Sequence, residues 1–279
     1  MVKSICASCE NFSISNPIKS LTTKKPKWLE KHDYVEEFIK SQTVFKTKYK
    51  KGFDQIIPID LGKNYKHRFL LYWAAMPSSD LKVKDAKTAY DIFQNHGIVK
   101  LNAEGRGSLR LKCPQIYYTV KKGEQKEKSF YRHFHYVISN ESNEEWLSQL
   151  YSNLLVCKRD VMDVKRALQQ ERAVLLNALP ASYYAKEHIP NSYNIVASEV
   201  EKMSKVQWNA WLMDVLEANY KRLYIMVKNK DILLEEVPII CYCAHETCDA
   251  SRLLEEELLK KSMYRVDSFP GGMRAWQRQ

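Results

Sequence analysis

Hydrophobic and polar positions are spaced differently in the two halves of the chain. In the first half, Val35, Phe38 and Ile39 fall at i, i+3 and i+4 with charges between them, which predicts a short amphipathic helix over about 32–44. Residues 55–60 and 67–75 read as strands. Ala86, Tyr90 and Phe93 share one face and predict a helix over 83–95, stopped by Gly97. Residues 108–121 and 128–138 predict a β-hairpin about the charged turn KKGEQKEK. A helix is expected over 143–151 and a strand over 153–157. Residues 1–30 show little periodicity and many Ser, Thr, Lys and Pro, as in a flexible arm.

After Cys157 the pattern changes. Residues 161–170 fit a helix, and 173–178 form an apolar run broken only by Asn177, as in a parallel-sheet strand. A short helix is expected over 183–188. A long amphipathic helix is expected over 204–227, with Trp208, Trp211, Leu212, Val215, Leu216 and Leu223 on one stripe. These tryptophans read as core rather than a ligand cage. Strands at 237–242 and 265–269 alternate with helices at 249–261 and 271–277. Alternation of this kind predicts a parallel sheet flanked by helices on both faces. The expected fold is therefore α/β in the C-terminal part, preceded by a basic α+β domain. Three parts are expected: an arm over 1–30, an α+β domain of unknown family over 31–157, and the parallel-sheet domain over 158–279.

Charge sharpens that division. The net charge is +11, and residues 1–157 hold 26 Lys and Arg against 16 Asp and Glu, whereas 158–279 hold 18 against 17. The basic half contains FKTKYKKG, where lysines alternate with aromatics. A nucleic-acid or other acidic partner for residues 1–157 would use such a run; a solvated loop with aromatics packed beneath it explains it equally. With 45% hydrophobic and 28% charged residues the composition is that of a soluble globular protein. The apolar run at 69–76 is far shorter than the ~20 residues of a membrane span. No charged-then-apolar leader opens the sequence, so a cytoplasmic protein without a membrane partner is expected.

The seven cysteines cluster toward the ends and suggest reduced thiols rather than a disulfide framework. Cys6-x-x-Cys9 is half of a zinc pattern with no second pair beside it. Cys113, His133, His135 and Cys157 could complete it only through the fold, and no metal or other cofactor is expected. His133 and His135 lie on one face of their strand by the two-residue alternation, opposite Phe134 and Tyr136. They read as a polar strand face, with metal or phosphate binding as the alternative.

The stretch with the clearest chemistry is PIICYCAHETCDAS, residues 238–251. It reads as a buried strand, a six-residue loop from Cys243 to Cys248, and a helix start. A cysteine that ends a strand opposite a helix N-terminus meets free N–H groups and the positive end of the helix dipole, both of which favour a thiolate. Cys243 is thus the candidate nucleophile, with Ala244, His245, Glu246, Thr247 and Cys248 forming its loop. Cys241, two residues earlier in the strand, is expected to be buried and inert. His245 could steer an anion or share a proton. Cys248 is either a resolving thiol or a small residue packed at the helix start.

Three pieces in order, LLNALPASYYAKEHIPNSYNI, PIICYCAHETCDAS and FPGGMRAW, make residues 158–279 resemble a rhodanese domain. That resemblance implies a parallel sheet flanked by helices and a persulfide carried on Cys243. The six-residue loop has the sulfurtransferase length, one shorter than in related phosphatases and arsenate reductases, and it lacks the arginine those enzymes use for an oxyanion. The implied function is a sulfurtransferase that moves sulfane sulfur from thiosulfate or a persulfide donor to a thiol or cyanide acceptor. The alternative is a catalytically weak scaffold serving a partner or nucleic acid, or a thiol redox sensor. Two departures bear on the donor. Glu246 would repel an anionic donor if it pointed inward, and Asn177 stands where the family often has Asp, with the arginine of its D-x-R pattern missing.

Overall fold

The computed structural model describes residues 33–49, 51–120 and 126–278. The expected arm and the Cys6-x-x-Cys9 pair lie outside them. The described residues divide between Leu155 and Val156 into two compact units.

The N-terminal unit is α+β. It runs α1 (Asp33–Ser41), β1 (Gln55–Asp60), β2 (Phe69–Ala74), β3 (Lys84–Asp85), α2 (Ala86–Tyr90), β4 (His96–Lys100) and β5 (Arg106–Leu111). It continues through β6 (Tyr117–Val120), β7 (Lys126–Phe130), β8 (His133–Ile138) and β9 (Tyr151–Leu154). The main sheet has the order β4-β2-β8-β9, all antiparallel. β1 pairs with β5, and β3-β6-β7 form a third sheet. Val35 and Phe38 of α1 pack on Trp73, Tyr90 and Phe93 in the core, as the i, i+3 spacing predicts.

Three expectations fail here, two for local reasons and the hairpin through long-range strand pairing. The helix expected over 83–95 shrinks to α2, because Asp91 (φ 48°) and Phe93 (φ 57°) enter the left-handed region. Gly97 is no helix stop. It lies inside β4, where a Cβ would sit 2.3 Å from the Tyr72 hydroxyl. The long hairpin is also broken up: β6 and β7 do pair, but β5 turns away to β1 and β8 joins β2. Residues 143–150 form bends and a single bridge from Trp146 to Ser139 rather than a helix. Asn143 sits at φ 61°, and the Asn140 side chain accepts from the N–H groups of Glu144 and Glu145.

His133 and His135 do not form a polar outer face. Tyr117 donates to His133 Nε2 (2.7 Å), and Tyr90 donates to His135 Nε2 (2.9 Å). The Nδ1 atoms meet the Tyr131 carbonyl and the Ser152 hydroxyl, each at 2.6 Å. With Nδ1–H donating and Nε2 accepting, both rings are neutral and all four nitrogens are satisfied. Burial pulls the His133 pKa down to about 4 and that of His135 well below its ordinary value. The unfolded chain therefore takes up a proton near pH 6.5 that the folded His133 refuses until about pH 4. Stability is full above that window and falls as pH drops through it. We expect a loss of about 1–2 kcal/mol from His133 between pH 7.5 and 5. Urea midpoints at the two pH values check this, and in His133→Gln the difference should shrink to the share of His135.

The C-terminal unit is α/β. It comprises β10 (Cys157–Lys158), α3 (Val161–Gln169), β11 (Val174–Asn177), α4 (Ala181–Tyr184), β12 (Tyr193–Asn194) and α5 (Ala197–Lys202). Then come α6 (Lys205–Asn219), α7 (Lys221–Lys228), β13 (Ile239–Tyr242), α8 (Ala250–Lys260), β14 (Val266–Phe269) and α9 (Gly272–Gln277). The five strands are parallel, in the order β10-β14-β13-β11-β12. Ile240 and Tyr242 of β13 face a cluster with Val161, Val164, Phe269 and Met273. Cys241 alternates to the other face. The helix expected over 204–227 breaks at Tyr220 (φ −127°, ψ 59°) into α6 and α7. The Tyr220 hydroxyl instead donates to the Asn191 carbonyl and accepts from the Leu175 N–H. Trp208 is fully buried, in line with a core role, and its indole N–H meets the Met263 sulfur at 3.3 Å. No described helix is long and apolar enough to cross a membrane.

Candidate active site

β13 is fully buried, and in the parallel sheet it lies between β11 and β14. It delivers Cys243 to its C-terminal edge, where α8 begins. Cys243 is 1% exposed and Cys248 7%. The Cys243 Sγ lies 3.2 Å from the Cys248 carbonyl, 3.6 Å from the His245 carbonyl and 3.5 Å from the Ser251 hydroxyl. Among described cysteines, Cys241, Cys243 and Cys248 are free thiols. Cys113 and Cys157 are disulfide-bonded cysteines, which departs from the expectation of reduced thiols throughout.

The loop favours the anionic form of Cys243, whose pKa falls to about 6. The largest cause is a hydrogen bond from the Cys248 thiol. The Ser251 hydroxyl and the backbone N–H groups of Ser251 and His245 add to it, and burial opposes them. The same contact, with burial, pushes the Cys248 thiol up. Cys243 is the more acidic of the two because the Cys248 thiol donates to it and Ser251 adds a hydroxyl, whereas Cys248 is lowered only by the backbone N–H groups of Ala250 and Ala244. Cys241 is buried on the strand, as the sequence suggests, and burial pushes its thiol well up.

The other loop residues take distinct places. Ala244 and His245 are half-buried. The His245 Nδ1 is 2.9 Å from the Thr247 hydroxyl, so the imidazole is held across the loop. Glu246 and Thr247 are exposed. The carboxylate of Glu246 therefore remains in solvent, where water screens it.

The pieces that flank the loop in sequence meet it in space. Tyr242 holds the HIPNS turn, accepting from the Ile189 N–H at 3.0 Å and bonding the Ser192 hydroxyl at 2.8 Å. Asn177 accepts from the Leu179 N–H at the end of β11. Gly272 lies against the loop backbone. The N–H groups of Met273 and Arg274 donate to the carbonyls of Cys243 and Ala244, each at 3.0 Å. A Cβ on Gly272 would sit 2.3 Å from the Cys243 carbonyl oxygen, and its φ is +53°. Both observations require glycine there.

Two further residues escaped the sequence reading. Ser251 lies in the first turn of α8 and reaches the Cys243 sulfur; a hydroxyl eight positions after the cysteine is a weak signal. Glu255 begins the run EEE in the helix expected over 249–261. It is 6% exposed, on the same side of α8 as Leu254, Leu258 and Leu259. An acid inside an apolar stripe was the available clue.

Among solved structures, the human single-domain sulfurtransferase TSTD1 is 18% identical, with 45% of this chain and 98% of that one covered and a TM-score of 0.31. The single-domain sulfurtransferase RDL2 of Saccharomyces cerevisiae is 11% identical, with 44% and 90% covered and a TM-score of 0.31. An uncharacterised protein of the same yeast is 16% identical, with 44% and 92% covered and a TM-score of 0.31. No curated protein sequence matches the chain. Residues 160–279 match the family model of the Rhodanese-like domain. By that match the C-terminal half of the chain is identified as a rhodanese-like domain.

Proposed function

We propose that the C-terminal domain is a sulfurtransferase that carries sulfane sulfur as a persulfide on Cys243. The observation that supports this best is a thiol of lowered pKa at a strand end, where the Ser251 hydroxyl, the Cys248 thiol and backbone N–H groups outweigh the Cys248 and His245 carbonyls beside its sulfur. At pH 7 most of Cys243 is thiolate, the nucleophilic form. With thiosulfate as donor, that thiolate attacks the outer sulfur. The S–S bond breaks, sulfite leaves with the electron pair, and Cys243 holds the transferred sulfur. A thiolate or cyanide acceptor then attacks that outer sulfur, and Cys243 leaves as thiolate. Ser251 and the loop N–H groups hold the negative charge at both stages. The donor and acceptor are sulfur compounds, small or carried by a protein.

The Cys243–Cys248 contact favours a second reading, as a thiol redox device. Cys248, once deprotonated, would attack the inner sulfur of the persulfide, form a Cys243–Cys248 disulfide and release hydrosulfide. Intact-mass measurement after incubation with thiosulfate separates the two. Sulfur transfer predicts a gain of about 32 Da per chain, removed by cyanide. The redox reading predicts a loss of about 2 Da, reversed by a reductant. A mass unchanged after thiosulfate and also after a small-molecule persulfide donor overturns both.

A further inference from the structure

Glu255 sits one helical turn after Ser251, so the two side chains share one face of α8. Ser251 touches the Cys243 sulfur. Glu255 is buried, and its Oε1 has no hydrogen-bond partner. The hydroxyl of Ser268, directly across from Cys241 in the β13–β14 register, bonds to the carboxyl. A buried carboxyl therefore lies behind the nucleophile, on the Cys241 face of the sheet.

We propose that Glu255 is a positioning residue that gates the site by charge. As a neutral acid it lets the Cys243 thiolate and an anionic sulfur donor share the loop, and as a carboxylate it drives the anion away. The proposal rests on the sulfurtransferase reading only for the identity of the donor. The step itself is a single ionisation: Glu255 releases its proton to solvent and gains one negative charge, and no other bond changes.

The surroundings favour the neutral acid at pH 7. Burial raises the Glu255 pKa to about 8, helped by the negative charges of Cys243 and Asp267 and opposed by Ser268 and Arg252. Each charge nearby is accounted for. Asp267 on β14 is paired with Arg159 at 2.9 Å. Arg252 on α8 is shared with Glu256 at 2.5 Å and Asp249 at 3.3 Å. Cys241 on β13 is a neutral thiol. On α5, which packs against α8, Glu199, Glu201 and Lys202 are exposed to water. The thiolate thus forms at a lower pH than the carboxylate, which leaves a window of about two pH units with one negative charge in the site.

The test needs no sulfur transfer. Alkylation of Cys243 in the full chain is followed by peptide mass spectrometry, with neutral iodoacetamide and anionic iodoacetate as probes. Above pH 7 the thiol is already ionised, so the iodoacetate-to-iodoacetamide rate ratio reads the local field. In the wild type this ratio should fall about fivefold between pH 7 and 9.5. In Glu255→Gln it should stay constant. Ser268→Ala removes the bond that lowers the Glu255 pKa, so its fall should move to higher pH. A constant wild-type ratio overturns the proposal, and so does an equal fall in Glu255→Gln. If Glu255→Gln does not fold, an unmoved fall in Ser268→Ala overturns it. A wild type that shows the fall but never gains sulfur would retain the gate and reject the sulfurtransferase.

Discussion

Cys243→Ser should lose sulfur transfer to cyanide by at least ~1,000-fold and show no mass gain with thiosulfate. Serine keeps the shape of the loop, but its hydroxyl does not ionise near neutral pH and cannot hold sulfane sulfur. The loop donors would then surround a neutral oxygen. Cys241→Ser is the control. Cys241 is buried with its thiol pushed up, on the far side of the strand from Tyr242, and no step uses it. That variant should keep activity within about threefold where it folds, since its cost falls on stability through a buried hydroxyl. A Cys243→Ser enzyme with wild-type turnover would remove Cys243 from the mechanism. Transfer measured by thiocyanate formation, with intact mass alongside, decides this.

Gly272→Ala is expected to have the next largest effect. Its methyl group would sit 2.3 Å from the Cys243 carbonyl and 2.9 Å from the carbonyl carbon of Ala244. Both are backbone, so no side chain can swing aside. The positive φ adds roughly 1 kcal/mol of strain for alanine. Relief requires moving either α9 or the loop, which breaks the Met273 and Arg274 donations. A displacement near 1 Å at a nucleophile costs about 100-fold in rate. The variant should therefore lose activity by that order and melt several degrees lower, while Cys243 still reacts slowly with iodoacetamide. Wild-type turnover in Gly272→Ala would mean that the glycine only shapes the turn.

The strand, loop and helix around Cys243 were legible because each carries a local signal. A four-residue buried strand shows as an apolar run, and α8 shows as a 3.6-residue stripe. The N-terminal unit was less legible because its strands pair at long range. Nothing local in residues 106–111 says that they pair with 55–60 rather than with the strand that follows them. The helix expected over 143–151 failed to a rival for its backbone bonds, the Asn140 side chain. Tyr220 shows the same limit in the C-terminal half. Its stripe continues unbroken from Trp208 to Leu223, and the break comes from what its hydroxyl binds across the fold. In FKTKYKKG the aromatics pack on the protein, as the loop reading expects: Phe45 lies on Phe69 and Trp146, and the Tyr49 ring lies against the Arg110 guanidinium.

Around Cys243 the strand end, loop and helix start were readable, but the depth at which each acid lies was not. Glu246 looked like the acid that matters because it stands within the loop, yet it is exposed. Glu255, which no motif singles out, is the buried acid on the helix that follows the loop. Sequence spacing places residues along the chain and on a helix face, but it does not say how deep that face is buried.

The grip of α9 on the loop also bears on how the site is acquired during folding. The bond from the Met273 N–H to the Cys243 carbonyl closes a span of about 30 residues that contains all of α8 and β14. Local structure around Cys243 can supply the helix dipole, but it cannot fix the two carbonyls that aim the loop. The arrangement is complete only when β13 and β14 have docked side by side. Thiol reactivity is therefore gained in the same cooperative step as the parallel sheet, and an unfolded or half-folded chain presents an ordinary cysteine.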